Sequence, residues 1–178
     1  MNFKEWIIEE SSLNDLYQSA VESFPNCRKR QHSIDEITIT RLEWVTYRGM
    51  RTLFIKGLAQ NRGNGHQYSP IILFKNVQYH NEAGENIVEI TDNNGVQHFL
   101  EKLSNVHTEA LVRCNCADFA FRFNYYNSIS DPTSLYGRKR APYQALGVGP
   151  PANPTESEGV CKHLIKMAKV LQQANLID

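Results

Sequence analysis

The chain has 178 residues, 41% of them hydrophobic, which is enough for one well-formed core with a small appended module. Its 19 basic and 19 acidic side chains cancel, so no overall field draws it to nucleic acid or to an anionic membrane, and any such binding must be local. No run approaches the roughly 20 apolar residues that span a bilayer, and no signal peptide stands at the start, so we expect a soluble protein that is not secreted and has no membrane partner.

The first predicted element is an amphipathic helix within residues 2–24. Apolar residues recur there at intervals of three and four, namely Leu13, Leu16, Tyr17, Ala20, Val21 and Phe24. Ser11 or Ser12 is a suitable N-cap, and Pro25 ends the helix. Such a stripe predicts a helix that packs on the core, although a helix at a chain terminus also suits a partner protein.

The pattern changes to that of β-strands between residues 37 and 90. Ile37, Ile39 and Arg41 alternate with Thr38, Thr40 and Leu42, and the runs 52–58, 71–79 and 87–90 are rich in β-branched and aromatic residues. Turn residues separate these runs at 47–49, 61–65, 81–84 and 92–95. Since no run alternates with a helical segment, we predict an antiparallel meander or small sandwich, and an α+β fold overall.

A short segment after the strands allows two interpretations. Val96, Phe99, Leu100 and Leu103 fit one or two turns of helix, which is the interpretation we favour. An alternating strand fits the same residues and stays open.

Two closely spaced pairs of metal-binding residues follow. Cys114 and Cys116 come after the apolar, strand-like run 110–113, and Cys161 and His163 open a helix-like run at 164–174, with 44 residues between the pairs. Thiolate and imidazole ligands in such pairs are typical of tetrahedral zinc sites. The first pair needs a turn, because successive side chains on a strand point to opposite faces. The second gains from the free amides and dipole at a helix start.

These residues resemble the SWIM zinc finger, whose pattern is CxC, a variable stretch and then CxH. The matching segments are CNCADF at 114–119 and GVCKHL at 159–164, followed by IKMAKVL. The resemblance implies a ββα-like lobe in which Cys114, Cys116, Cys161 and His163 hold one Zn²⁺. The stretch between the pairs is longer here than the family usually shows. We therefore predict an α+β domain at 1–110 and a SWIM-like metal-binding lobe at 111–178 that packs on it.

Two other fates of the cysteines stay open. The cysteines are either ordinary buried thiols, with or without a disulfide between two of them, or ligands of an iron–sulfur cluster. Cys114 and Cys116 lie too close to pair comfortably with each other. A cluster wants four cysteines, and the fourth, Cys27, lies far upstream and is predicted to be free. Zinc is the metal we predict.

The 44 residues between the pairs divide into two parts. Residues 119–126 are aromatic at nearly every second position and also fit a helix face through Phe119, Phe123 and Tyr126, for which core packing is favoured over base stacking. Residues 128–159 carry five of the seven prolines of the chain. Because zinc would tie both ends, we expect an ordered excursion against the domain or against a neighbouring subunit.

Basic residues are locally in excess around this loop. Residues 121–170 hold seven Lys and Arg against three acids, and a second short cluster lies at 28–30. The candidates for contact with nucleic acid or a partner are Arg138, Lys139, Arg140 and Lys162. A solvated loop rim explains the same excess.

No sequence feature predicts an enzyme. The chain lacks a P-loop, GxGxxG, GxSxG and HExxH. A zinc ion with three cysteines and a histidine has no open position for water, so we predict a structural site and no catalysis.

The whole chain also resembles uncharacterised virion-type proteins of tailed bacteriophages. The segments that carry this resemblance are KRQHSIDEITI, YSPIILFKNVQYH, YGRKRAPYQ, PPANP and GVCKHL. The resemblance implies a tail, baseplate or neck component, present in the virion or in the host cytoplasm before assembly, among other subunits in a symmetric ring. We predict a structural or assembly protein. The alternative, implied by the SWIM resemblance, is a nucleic-acid-binding accessory module.

Overall fold

The computed structural model describes residues 11–24, 34–142 and 151–178. The strands are β1 Ile37–Tyr47, β2 Thr52–Asn61, β3 Gln67–Tyr68, β4 Ile71–Phe74, β5 Tyr79–His80, β6 Ile87–Thr91, β7 Gln97–Glu101 and β8 Ala110–Arg113. The helices are α1 Leu13–Ser23, α2 Asn124–Ile129, which follows a π-helical turn at Phe119–Phe123, and α3 Lys162–Gln173. The predictions for residues 2–10, Pro25, Cys27 and 28–30 lie outside the described residues. No helix in the described ranges is long and apolar enough to cross a membrane.

Helix α1 begins where its capping residues place it. The Asp15 amide donates to Ser12 Oγ at 3.2 Å, and the Ser12 amide donates to Asp15 Oδ2 at 2.9 Å, which closes a reciprocal capping box. Of the two serines predicted as candidates for the N-cap, Ser12 is therefore the residue that caps the helix. Leu13, Leu16 and Ala20 turn to the core and are buried, as the apolar spacing predicts.

The strands form two antiparallel sheets, as predicted for an α+β fold. The main sheet has the order β1-β2-β4-β8, with β3 also paired to β2, and the smaller sheet has the order β5-β7-β6. Strand β8 pairs with β4, although 35 residues separate the end of one from the start of the other. This non-sequential pairing means that the main sheet is not a simple meander. Because Cys114 directly follows β8, the pairing of β8 with β4 also determines where Cys114 lies.

Two predictions for these strands are wrong. The run 71–79 divides into β4 and β5, which lie in different sheets, and Asn76 has the positive φ of 57° between them. The favoured helix at 96–103 is the strand β7, the central strand of the small sheet. Its residues satisfy their backbone groups against β5 and β6, and His98 and Leu100 alternate into the interior.

A β-bulge changes the predicted alternation of β1. The register shifts between Ile39 and Arg41, so one extra residue, Thr40, stands in β1. Ile39, before the bulge, lies on the core side of the sheet. After the bulge the core side is taken by Leu42, which pairs with Gly57 of β2. Arg41 therefore faces away from the core, and its predicted place on one face with Ile37 and Ile39 is wrong.

Helix α3 packs on the core side of β1 and β2. A Cβ at Gly57 would lie 3.1 Å from Met167 Sδ and 3.3 Å from Pro70 Cγ, so glycine permits this close approach. Buried residues from both sides of position 110 belong to one core, including Leu16, Ile55, Val112, Phe119 and Leu164. The division into domains at residue 110 stays a prediction.

Candidate metal centre

The CxC pair lies where β8 leaves the main sheet. Arg113 is the last residue of β8, and a helical turn starts directly after Cys116. The Phe119 amide donates to Cys116 Sγ at 3.3 Å. Asn115, between the cysteines, accepts at Oδ1 from the Ser69 amide at 2.7 Å. The backbone thus turns as the pair requires, and both sulfurs face the interior.

The CxH pair lies at the start of α3. Cys161 is the N-cap residue, with φ −85° and ψ 168°, and its carbonyl accepts from the Ile165 amide at 3.1 Å. His163 follows within the first turn. Cys161 thus lies at the positive end of the helix dipole, as predicted, although its side chain caps no backbone amide of the helix.

The four predicted ligands come together in one buried group. The ligand atoms of Cys114, Cys116, Cys161 and His163 all lie within 4.8 Å of one another, and each residue is at most 3% exposed. His163 Nδ1 is 3.9 Å from Cys114 Sγ and 4.0 Å from Cys161 Sγ. A tetrahedral zinc with Zn–S of about 2.3 Å and Zn–N of about 2.0–2.1 Å needs S···N separations of about 3.6 Å. These two S···N distances therefore exceed the zinc geometry by a few tenths of an ångström.

Hydrogen bonds and burial shift the pKa values of the three thiols in opposite directions. Hydrogen bonds from the Cys114 and Cys161 thiols lower the pKa of Cys116, while the bond with Cys116 raises the pKa of Cys114. Burial raises the pKa of Cys161. Cys116 is therefore the sulfur of the group that most readily becomes a thiolate. Zinc binding there would require all three sulfurs as thiolates and a neutral imidazole, so it would release protons.

Two residues that the sequence analysis missed support His163. Asn61 Oδ1 lies 3.2 Å from His163 Nε2, and the Tyr68 ring packs on the imidazole with centroids 4.3 Å apart at 33°. Both come from the β2–β3 hairpin, about 100 residues before the ligand they touch. The only sequence signal at Asn61 was its turn chemistry, which carries no information on a contact so distant in the chain.

The donor set fits zinc better than the two alternatives. Three sulfurs and one imidazole nitrogen complete a tetrahedral sphere, as in structural zinc sites. Among the described cysteines, 114, 116 and 161, none forms a disulfide, and Cys27 lies outside the described residues. In the described part of the chain, no other group of three or more His, Cys, Asp and Glu brings its ligand atoms together in this way.

Buried asparagines hold the long loop against the fold. Asn127 is fully buried: its Nδ2 donates to the Gly159 carbonyl at 3.0 Å, and its Oδ1 accepts from the Gly159 amide at 2.9 Å. Asn124 Oδ1 accepts from the Arg140 amide at 2.7 Å, and Asn153 Nδ2 donates to the Arg122 carbonyl at 2.8 Å. The described parts of the loop, 128–142 and 151–159, thus lie against the domain, as expected of an ordered excursion.

The loop also extends the main sheet. The Val112 amide donates to the Ser134 carbonyl at 2.9 Å, and the Tyr136 amide donates to the Val112 carbonyl at 3.0 Å. These bonds pair residues 134–136 with the outer edge of β8, next to Cys114. The loop therefore covers a strand edge that would otherwise present unpaired backbone groups.

The aromatic run divides between core and surface. Phe119 and Phe123 are fully buried, which confirms core packing for these two residues. Tyr126 is half-buried, and Phe121 is 44% exposed. The π-helical turn brings Phe119 and Phe123 to the same side, with ring centroids 6.4 Å apart.

Three of the basic candidates lie in the loop itself, and the fourth lies in α3. Arg138, Lys139 and Arg140 are exposed, whereas Lys162 is half-buried in the first turn of α3. The backbone of this segment is held by Arg113, whose Nη1 donates to the carbonyls of Tyr136 and Arg138 at 2.9 Å each. Their contact with nucleic acid or a partner stays a prediction.

Comparison of the chain with protein-family models, with curated proteins and with solved structures returns no match in any of the three. The SWIM and bacteriophage resemblances therefore depend on the residues quoted for them.

Proposed function

We propose that this is a non-enzymatic structural protein, in which Zn²⁺ bound by Cys114, Cys116, Cys161 and His163 joins the long loop and α3 to the main sheet. The observation that supports it most directly is the convergence of four buried ligand atoms within 4.8 Å. The ligands come from two places 44 residues apart, the end of β8 and the start of α3. A filled, buried sphere favours a structural role over a catalytic one, because catalytic zinc keeps a position for water.

The energy of such a site is large compared with domain stability. Apparent zinc-binding free energies of structural sites are about 10–16 kcal/mol at neutral pH, whereas a whole domain is stable by about 5–15 kcal/mol. Loss of the metal should therefore release α3 and the loop even where the β-sheets persist.

Metal analysis of the purified protein tests this proposal. We expect about one zinc per chain, lost in Cys161→Ser together with the protease resistance of residues 128–160. Cys27→Ser is the matched control, since this cysteine is not among the proposed ligands. A metal-free wild type whose loop resists trypsin equally well would refute the role of zinc.

We propose a second copy of this chain as the partner in assembly, seated on the sheet face turned away from α3. The register aligns Val45, Phe54, Leu73 and Leu111 side by side across β1, β2, β4 and β8. All four are half-buried, so an apolar row keeps part of its surface exposed. The Tyr136 ring extends this row, with its centroid 5.5 Å from that of Phe54.

Charges of both signs border the apolar row. The adjacent row in the same register is Glu43, Lys56, Ile71 and Arg113. A two-fold axis that runs parallel to the strands, between two facing sheets, places Glu43 of one sheet over Arg113 of the other. The same axis places the two apolar rows over each other. This complementarity of the face with itself favours a second copy over a partner of one charge.

Light scattering after gel filtration tests the interface. We expect a dimer or larger ring for the wild type and a monomer for Val45→Arg. Val106→Arg is the control, because Val106 is 49% exposed in a turn beside α1, where the Asn105 carbonyl accepts from the Asn14 amide, and it should leave the assembly unchanged. A wild type that is monomeric at every concentration would refute the interface.

The finer proposal, a tail, baseplate or neck component of a bacteriophage, is supported by the sequence resemblance alone. Immunogold labelling of virions from a phage that encodes this chain tests it, and we expect discrete labelling at one position along the particle. Unlabelled particles, with the protein left in the lysate, would refute it.

The second candidate function is a nucleic-acid-binding accessory module, which the exposed Arg138, Lys139 and Arg140 favour. Such binding should weaken steeply with salt, because phosphate contacts release counterions. Replacing the three residues with alanine should then reduce both the affinity and the salt dependence. Absence of binding to DNA and RNA at low salt would remove this candidate.

A further inference from the structure

Asn61 is held rigidly at the end of β2. Its amide donates to the His66 carbonyl at 3.0 Å, and its carbonyl accepts from the Gly65 amide at 2.9 Å. Asn61 also pairs with Ile37 across β1. The side chain therefore projects from a backbone that hydrogen bonds constrain on both sides.

The side chain of Asn61 meets the far side of the His163 ring. Oδ1 lies 3.2 Å from Nε2, while Nδ1 of the same ring faces the sulfurs of Cys114 and Cys161 at 3.9 and 4.0 Å. Tyr68, which pairs with Ala59 across the β2–β3 hairpin, packs against the imidazole face. The ring is thus held at its edge and on one face by the same hairpin.

This contact selects one tautomer of the imidazole. A neutral histidine carries its proton on either nitrogen, and only the other nitrogen has a lone pair for a metal. An amide oxygen only accepts, so it requires the proton on Nε2 and leaves the Nδ1 lone pair toward the sulfurs. A neutral acceptor also adds no charge to a site where three thiolates already exceed the charge of Zn²⁺.

We propose that Asn61 is a positioning residue for the metal centre, holding His163 in the tautomer and orientation in which Nδ1 binds Zn²⁺. The inference depends on the proposed zinc site. It makes the β2–β3 hairpin a third support of the centre, beside the two ligand pairs. The same hairpin region holds the first pair through the bond from the Ser69 amide to Asn115.

Competition with a chromophoric chelator measures the zinc affinity of the full-length variants. We expect Asn61→Ala to bind zinc about 10–100-fold more weakly, the usual loss when a partner of a ligating histidine is removed. Asn61→Asp keeps an acceptor oxygen, at the cost of one added negative charge, and should lose much less affinity than Asn61→Ala, since carboxylates commonly accept from ligating histidines. Asn64→Ala is the matched control, because Asn64 lies in the same turn and its side chain, within the described part of the chain, bonds the local His66 amide alone. An Asn61→Asp loss as large as that of Asn61→Ala would contradict the role of the acceptor.

A His163→Cys background separates positioning from general stabilisation. A thiolate has no tautomer, so Asn61→Ala should change the zinc affinity little in that background. An equal loss in both backgrounds would overturn the inference, since the hairpin would then act by stabilising the fold. Nitrogen-15 NMR of the zinc-loaded wild type should show metal on Nδ1 and a proton on Nε2. A wild type that binds no zinc refutes the proposed function, whereas one that binds zinc as tightly as its Asn61→Ala variant refutes only the inference.

Discussion

Replacing Asn127 with leucine should destabilise the protein more than any loop substitution at the surface. Asn127 is fully buried, and its side chain pairs with both backbone groups of Gly159 at 2.9 and 3.0 Å. Leucine has a similar volume and no polar atom, so it leaves the Gly159 amide and carbonyl buried without these partners. Each such group costs about 1–3 kcal/mol, which gives about 2–6 kcal/mol for the pair. That is a large part of the stability of a domain, about 5–15 kcal/mol.

Urea unfolding of zinc-loaded protein, followed by tryptophan fluorescence, measures this loss. Gly159 lies two residues before Cys161, so the variant should also expose the loop to trypsin at residues 138–140 while zinc stays bound. Asn94→Leu is the control, because Asn94 is exposed and its change should stay within about 0.5 kcal/mol. A loss below about 1 kcal/mol for Asn127→Leu would refute the assignment of this pair as the anchor of the loop.

Two further predictions follow from single positions. Gly159→Ala places a Cβ 2.7 Å from Phe123 Cε1 and should lower the free energy of unfolding in urea by about 1–3 kcal/mol. Gly63→Ala is the control and should leave the urea midpoint nearly unchanged, because a Cβ there meets nothing within 4 Å. Equal effects of the two changes would contradict this account of packing. The hydrogen bond from His98 holds the pKa of Asp92 below its usual 3.8. This hydrogen bond therefore contributes fully to stability above about pH 4, and the contribution is lost as the pH falls through the lowered pKa of Asp92. In a plot of the urea midpoint against pH, Asp92→Asn should flatten the fall at acid pH. An unchanged fall would refute the linkage.

Local patterns predicted those elements that local interactions determine. Helix α1 starts at Ser12 because the cap and Asp15 lie within one turn of chain. The apolar spacing after Cys161 likewise predicted α3, which runs from Lys162 to Gln173. Residues 96–103 were misjudged because a short apolar run fits both periods, and pairing with β5 and β6 decides in favour of the strand. The alternation of β1 failed at Thr40, since a bulge depends on the partner strand.

The sequence by itself determined the donor set of the candidate centre. Three cysteines and a histidine in a CxC and a CxH pair specify soft ligands, and each pair needs only a turn or a helix start nearby. Only the tertiary structure decided that the pairs meet, because this depends on the pairing of β8 with β4 and on the packing of α3 over Gly57. It also decided which histidine nitrogen faces the sulfurs, through Asn61 on a distant hairpin. Contacts between residues about 100 positions apart leave no periodic trace in the chain, so they become visible only once the fold is known.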